Sequence, residues 1–171
     1  KDFMNYQIMD QMKEYEPEFD QMLFYLPLSG STFKKVYYDD LLNRAVSKFI
    51  PAEDLVVPYS ATSLEDAEAV IHVLRISQND LRKQQINGFY RDIDLGEPPL
   101  QEDKLKQKQL ELEGIQQNTS EDMYTVLEMH VNVDLEGHED VNPEDGEPTG
   151  VRLPYIITID EANSKVLSIR R

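Results

Sequence analysis

Apolar positions in the first 28 residues fall at helical spacing. Phe3, Tyr6, Met9 and Met12 or Lys13 recur at three- and four-residue spacing, as one face of a helix requires. A second run, EPEFDQMLFYL, restarts the rhythm with Phe19, Met22, Leu23 and Leu26 on a shared face. Pro17 suits a first helical turn, Glu16 and Glu18 favour its N-terminus, and Pro27 with Ser-Gly-Ser predicts its end. Residues 1–30 therefore read as helical.

From 31 to 77 the pattern turns β-rich. TFKKVYYD (32–39), RAVSKFIP and EDLVVP have the aromatic and β-branched content of short strands, punctuated by Pro51 and Pro58. AEAVIHVLRIS (67–77) fits helix or strand, and Val70, Ile71, Val73 and Ile76 favour strand in its second half. Residues 78–118 then predict helices and a linker. Ser77 is placed to cap a helix over NDLRKQQI, with Asp80 completing a weak capping box and Asn87-Gly88 stopping it. DLGEPP links onward to QEDKLKQKQLELEGI, a charged helix with a thin stripe of Leu105, Leu110 and Leu112.

YTVLEMHVNVDLEG (124–137) shows the clearest period of two. Leu127, Met129, Val131, Val133 and Leu135 are expected to face inward, with Glu128, His130, Asn132, Asp134 and Glu136 facing solvent. VRLPYIITID and KVLSIRR complete a β meander over 122–171 around an acidic loop, 137–150. The fold class expected is α+β, one unit over 1–171. Its helical N-terminal segment packs on a mainly antiparallel sheet drawn from 32–77 and 124–171, with two short helices inserted between the sheet halves.

Composition adds constraints. A formal charge of −16 on 171 residues repels phosphate and anionic membranes alike. With no Cys there is neither a disulfide framework nor a thiolate site. No apolar run approaches the length of a membrane-crossing helix.

Candidate chemistry is thin. His130, Asp134, Glu136 and His138 share the even positions of one strand, which suggests a divalent metal site and a metal-dependent hydrolase as an alternative reading. Yet strand neighbours two apart are about 6.5 Å apart, so such ligands would lie stretched along a line. DVNPEDG begins like a calcium loop, but Asp145 stands where Gly belongs and Val151 where the bidentate Glu should be. No serine sits in a G-x-S-x-G context, and His72 lies in an apolar strand where a packing role is the simpler account. LPLSGST lacks the glycines and Lys of a phosphate loop. The expectation is a protein that is not an enzyme and uses no cofactor.

The run TFKKVYYDDLLNRAVSKF interleaves aromatics with basic residues. Adjacent Tyr37 and Tyr38 face opposite sides of a strand, and exposed Tyr beside Arg is suited to an interface. Tyr37, Tyr38, Arg44, Lys48, Arg91, Arg170 and Arg171 are the candidate subunit or partner contacts, chosen by residue type.

An ordered set of segments carries a resemblance. NYQIMDQM, LPLSGSTFKKVYYD, FIPAEDLVVPYSATSLEDAEAVIHVLRIS, NDLRKQQINGFYRDIDL, YTVLEMHVNVDLEG and LPYIITIDEANSKVLSIRR together resemble the portal proteins, the head-to-tail connectors of tailed bacteriophages and prophages, of the type common in short-tailed phages. The resemblance covers nearly the whole chain. It implies an internal segment of a longer chain, from the α+β wing, with stem and clip lying outside it. It further implies a generally dodecameric ring at one capsid vertex, serving genome packaging, DNA passage and head–tail joining. Partners would be other copies, terminase, scaffold and capsid proteins and tail adaptors, with little direct DNA contact from this segment and no membrane. The location implied is the virion, after assembly in the host cytoplasm; the alternative reading is another non-catalytic phage adaptor or interaction module.

Overall fold

A computed structural model of the chain describes residues 1–39, 42–98, 123–143 and 145–171. The architecture is α+β, and the chain divides into two compact units, Lys1–Val56 and Val57–Arg171.

The first unit opens with α1 (Asp2–Tyr6), which loosens into a π-type turn at Gln7–Gln11. Helix α2 follows at Tyr15–Ser29. Pro17 lies in its first turn, where a missing N–H costs nothing, but the helix runs on past Pro27 by two residues. Gly30 ends it: at φ 78° it takes the left-handed conformation a side chain would resist, and its N–H donates to Leu26 O at 3.0 Å. Strands β1 (Thr32–Asp39) and β2 (Arg44–Pro51) span the predicted stretches and pair antiparallel, from Thr32↔Pro51 to Asp39↔Arg44. They form a two-stranded sheet by themselves. A 3-10 turn at Ala52–Asp54 leads to the short β3, Leu55–Val56.

The second unit holds the principal core. Strands β4 (Ala69–Ser77), β5 (Met123–Val133), β6 (Leu153–Asp160) and β7 (Val166–Arg170) lie side by side in chain order, all antiparallel. The whole of 69–77 is strand, as its β-branched content favours. Helix α3 (Gln78–Ile86) starts at Ser77, whose Oγ accepts the Asp80 N–H at 3.2 Å, and Gly88 follows its end at φ 73°. The second inserted helix, expected within 101–115, lies outside the described residues. The expected joining of distant sheet halves holds for β4 with β5–β7; among the described residues β1 and β2 pair only with each other.

Burial reverses one expectation. The covered face of β5 is the one bearing Tyr124 and Val126. These pack with Leu81, Tyr90, Leu95 and Leu167 under α3 and the segment after it. Glu128 lies on that same side and is only 15% exposed, in register with His72, Thr158 and Ser168. Ser168 Oγ donates to Thr158 Oγ1 at 3.1 Å, so part of this polar row is satisfied within the sheet. The opposite face carries two registered apolar rows, Ile71–Met129–Ile157–Ile169 and Val73–Leu127–Ile159–Val166. None of these eight side chains is fully buried. Alternation correctly separates two faces, yet the nominally polar one includes Tyr124 and Val126 and takes the cover.

In the acidic loop Val141 bridges Pro148, and the Gly146 N–H donates to Asn142 O at 2.8 Å.

Candidate interaction surface

In the helical segment of the first unit the apolar side chains point outward. Helices α1 and α2 contain no buried residue. Phe24 is 69% exposed and Leu28 73%, with Phe3, Met4, Met9 and Leu23 also open. Of Phe19, Met22, Leu23 and Leu26, expected to pack on the sheet, Met22 is half-buried and the other three are exposed. The contacts that do hold α2 come from other residues. Tyr25 meets Phe49 of β2 with ring centroids 5.4 Å apart, and Lys34 of β1 places its ammonium 3.7 Å from the Tyr15 ring centroid. So many large apolar groups left open mark a surface suited to a partner.

Polar contacts fix the rest of α2. Arg44 Nη1 donates to Glu14 Oε1 at 2.7 Å, a pair about four-fifths buried on each side. The hydrogen bond from Arg44, reinforced by its charge, holds the Glu14 carboxyl below its ordinary pKa, and raises that of Arg44 in return. Glu14 Oε1 also accepts from Ser47 N–H at 3.4 Å, and Glu18 Oε2 from Phe49 N–H at 2.7 Å.

The residues singled out by type fare unevenly. Tyr38 is exposed, its hydroxyl donating to Asn43 Oδ1 at 2.6 Å, and Lys48 is exposed opposite Lys35 on the other face of the hairpin. Tyr37 is half-buried, with Lys35 Nζ 5.4 Å from its ring centroid. Arg44 is committed to Glu14 and is not a free interface cation. In the second unit Arg91 is exposed, while its backbone N–H donates to Leu167 O at 2.8 Å. Arg170 is also spoken for: its guanidinium lies 3.4 Å from the Phe89 ring centroid and donates to Phe89 O at 3.0 Å. Arg171 is exposed at the rim of a shallow groove of about 410 Å³ beside Val70, His130 and Ile156.

The proposed metal ligands are not gathered. Strand β5 stops at Val133, so Asp134, Glu136 and His138 leave the strand and lose the common face that their spacing assumed. His130 Nε2 sits 2.9 Å from Glu128 Oε1 on its own strand. Among the described residues no cluster of three or more His, Asp or Glu is arranged to hold a metal ion. Glu139 accepts the Gly137 N–H at 3.0 Å, which keeps its carboxyl below the usual range.

Sequence reasoning passed over Glu14 and Glu18, reading only Glu18 as helix-favouring charge. Their one-turn spacing is a legible signal only once β2 is known to lie alongside.

No family model matches the chain, and no curated protein matches it in sequence.

Proposed function

We propose that the chain is a structural, non-catalytic segment of a phage portal subunit, from the wing of the ring, serving genome packaging and head–tail joining. The ordered set of resembling segments motivates the reading, and the observation that carries it is the open apolar surface of α1 and α2, with Phe24 and Leu28 each more than two-thirds exposed. A chain that works through assembly needs such a surface; a monomeric enzyme does not. The strongly negative charge fits a periphery that neighbours other proteins and does not hold the genome.

Native mass measurement and negative-stain imaging of the longer chain that the resemblance implies test the proposal. Closed rings of about a dozen subunits are expected. A monodisperse monomer or dimer at high concentration overturns it.

A further inference from the structure

We propose that the outer edge of β2 is a strand-pairing site for β2 of a second copy, held shut by α2.

In an antiparallel pair, alternate residues turn both N–H and C=O toward the partner strand. Ser47 and Phe49 send their N–H groups to Glu14 and Glu18, so the odd-numbered residues of β2 face away from β1. That outward edge is closed by side chains. Glu14 takes the Ser47 N–H, Glu18 takes the Phe49 N–H, and Arg44 Nη1 reaches the Ala45 carbonyl at 3.4 Å. Pro51, the last outward position, has no N–H to offer.

The fit is metric. Four residues of helix rise about 6.0 Å and two residues of strand about 6.6 Å, so carboxylates one helical turn apart match amides two strand positions apart. Exposed strand edges are templates for pairing, and a helix laid along one is a recognised way to block it. No residue of α2 is itself fully buried, so the cover rests on the Glu14 and Glu18 hydrogen bonds and on Tyr25 against Phe49.

The occupant follows from the strand itself. Two copies of β2 set antiparallel about Ser47 oppose Ala45 to Phe49, so every outward group meets an outward group. Arg44 then faces Ile50 and Lys48 faces Val46, with no like charges opposed. The product is a four-stranded sheet from two hairpins, each of which has only two strands. Charged groups around the cover are Glu14 just before α2, Glu18 on α2, Arg44 on β2, and Lys34 and Asp39 on β1. Tyr37 also acts on Arg44.

The test compares two double variants of the full chain. Glu14→Ala with Glu18→Ala uncovers the edge; Glu16→Ala with Asp20→Ala removes the same charge from exposed positions of α2. Sedimentation velocity should show the first pair associating about tenfold or more tightly than wild type, the factor of one charge-assisted hydrogen bond, and the second pair unchanged. Hydrogen exchange should find the Ser47 and Phe49 amides fast at low concentration and protected again as copies associate. Association equal to wild type with both amides open overturns the proposal. So does equal association of the control pair, or association that leaves those amides unprotected. Should the double variant fail to fold, Glu18→Ala alone is judged by the same readings.

Discussion

The two units hold themselves together by different physics. In Val57–Arg171 a sheet, α3 and the segment after it close over Leu81, Tyr90, Leu95, Tyr124, Val126 and Leu167, and Val126 and Leu167 are wholly inaccessible. In Lys1–Val56 no helical residue is itself buried, the covered side chains being Val46, Ser47 and Ile50 of β2, and α2 stays in place through carboxylates on strand amides, one aromatic contact and a cation over a ring. The lesson is that apolar content does not tell where a core forms. The helical segment is rich in Phe, Met and Leu, yet shows them to solvent, while the sheet unit buries a few residues fully. Surface of the first kind is available for assembly; surface of the second kind is spent on stability.

Substitutions can widen or erase that contrast. The largest effect is expected from Leu167→Ala in the second unit. It should cost about 2–5 kcal/mol in urea unfolding, whereas Leu28→Ala in the first should stay within about 0.5 kcal/mol. Equal losses would mean that α2 hides a core after all. Next comes Arg170→Ala, which removes both the ring contact and the hydrogen bond to Phe89 O. A loss of about 1–2 kcal/mol is expected, with faster exchange around Phe89. Arg170→Lys should recover only part of it, because the planar guanidinium is what stacks and donates together.

Ser77→Ala removes the cap that accepts the Asp80 N–H and should cost about 1 kcal/mol, read as fraying of α3. An unchanged melting curve would show that packing of Leu81 alone fixes the helix start.

The smallest expected effect is one of pH, and it separates the units by location. Glu14 has its pKa depressed by Arg44, so its contribution is present above the unfolded carboxylate value, about 4.3, and is lost as pH falls through the lower folded value. The Ser47 amide should therefore exchange faster in acid at matched intrinsic rate, and Glu14→Gln should flatten that response. Asp80, depressed by Lys83 first and Ser77 second, has the same sign and should loosen the start of α3 at lower pH, because the unfolded Asp value, about 3.9, lies below that of Glu. A cover that survives acid unchanged would show that Tyr25 against Phe49 holds α2 without the carboxylate.

Local signals in the chain were enough for much of the fold. β-Branched and aromatic runs placed β1, β2, β4 and β6, and Ser77 with Asn87-Gly88 bounded α3, because strand preference, capping and left-handed turns depend on residues a few positions apart. The period of two in β5 was equally plain. Which of its faces would be covered was not, since that depends on where α3 and the segment through Leu95 come to rest. The interface cations show the same limit. Arg44 and Arg170 look free in the sequence, and each is engaged by a group 30 and 81 residues away respectively.

What the sequence determined by itself was thus the α+β class, most element positions and the acidic, cysteine-free character of the surface. Tertiary structure alone decided the division into two units, the buried face of β5, the loss of a common face for His130 and His138, and the closing of the β2 edge by Glu14 and Glu18. The physical reason is range. A helix cap or strand period is settled within a turn or two of chain, but a strand amide at Ser47 finds a carboxylate 33 residues earlier only after the chain has brought them side by side.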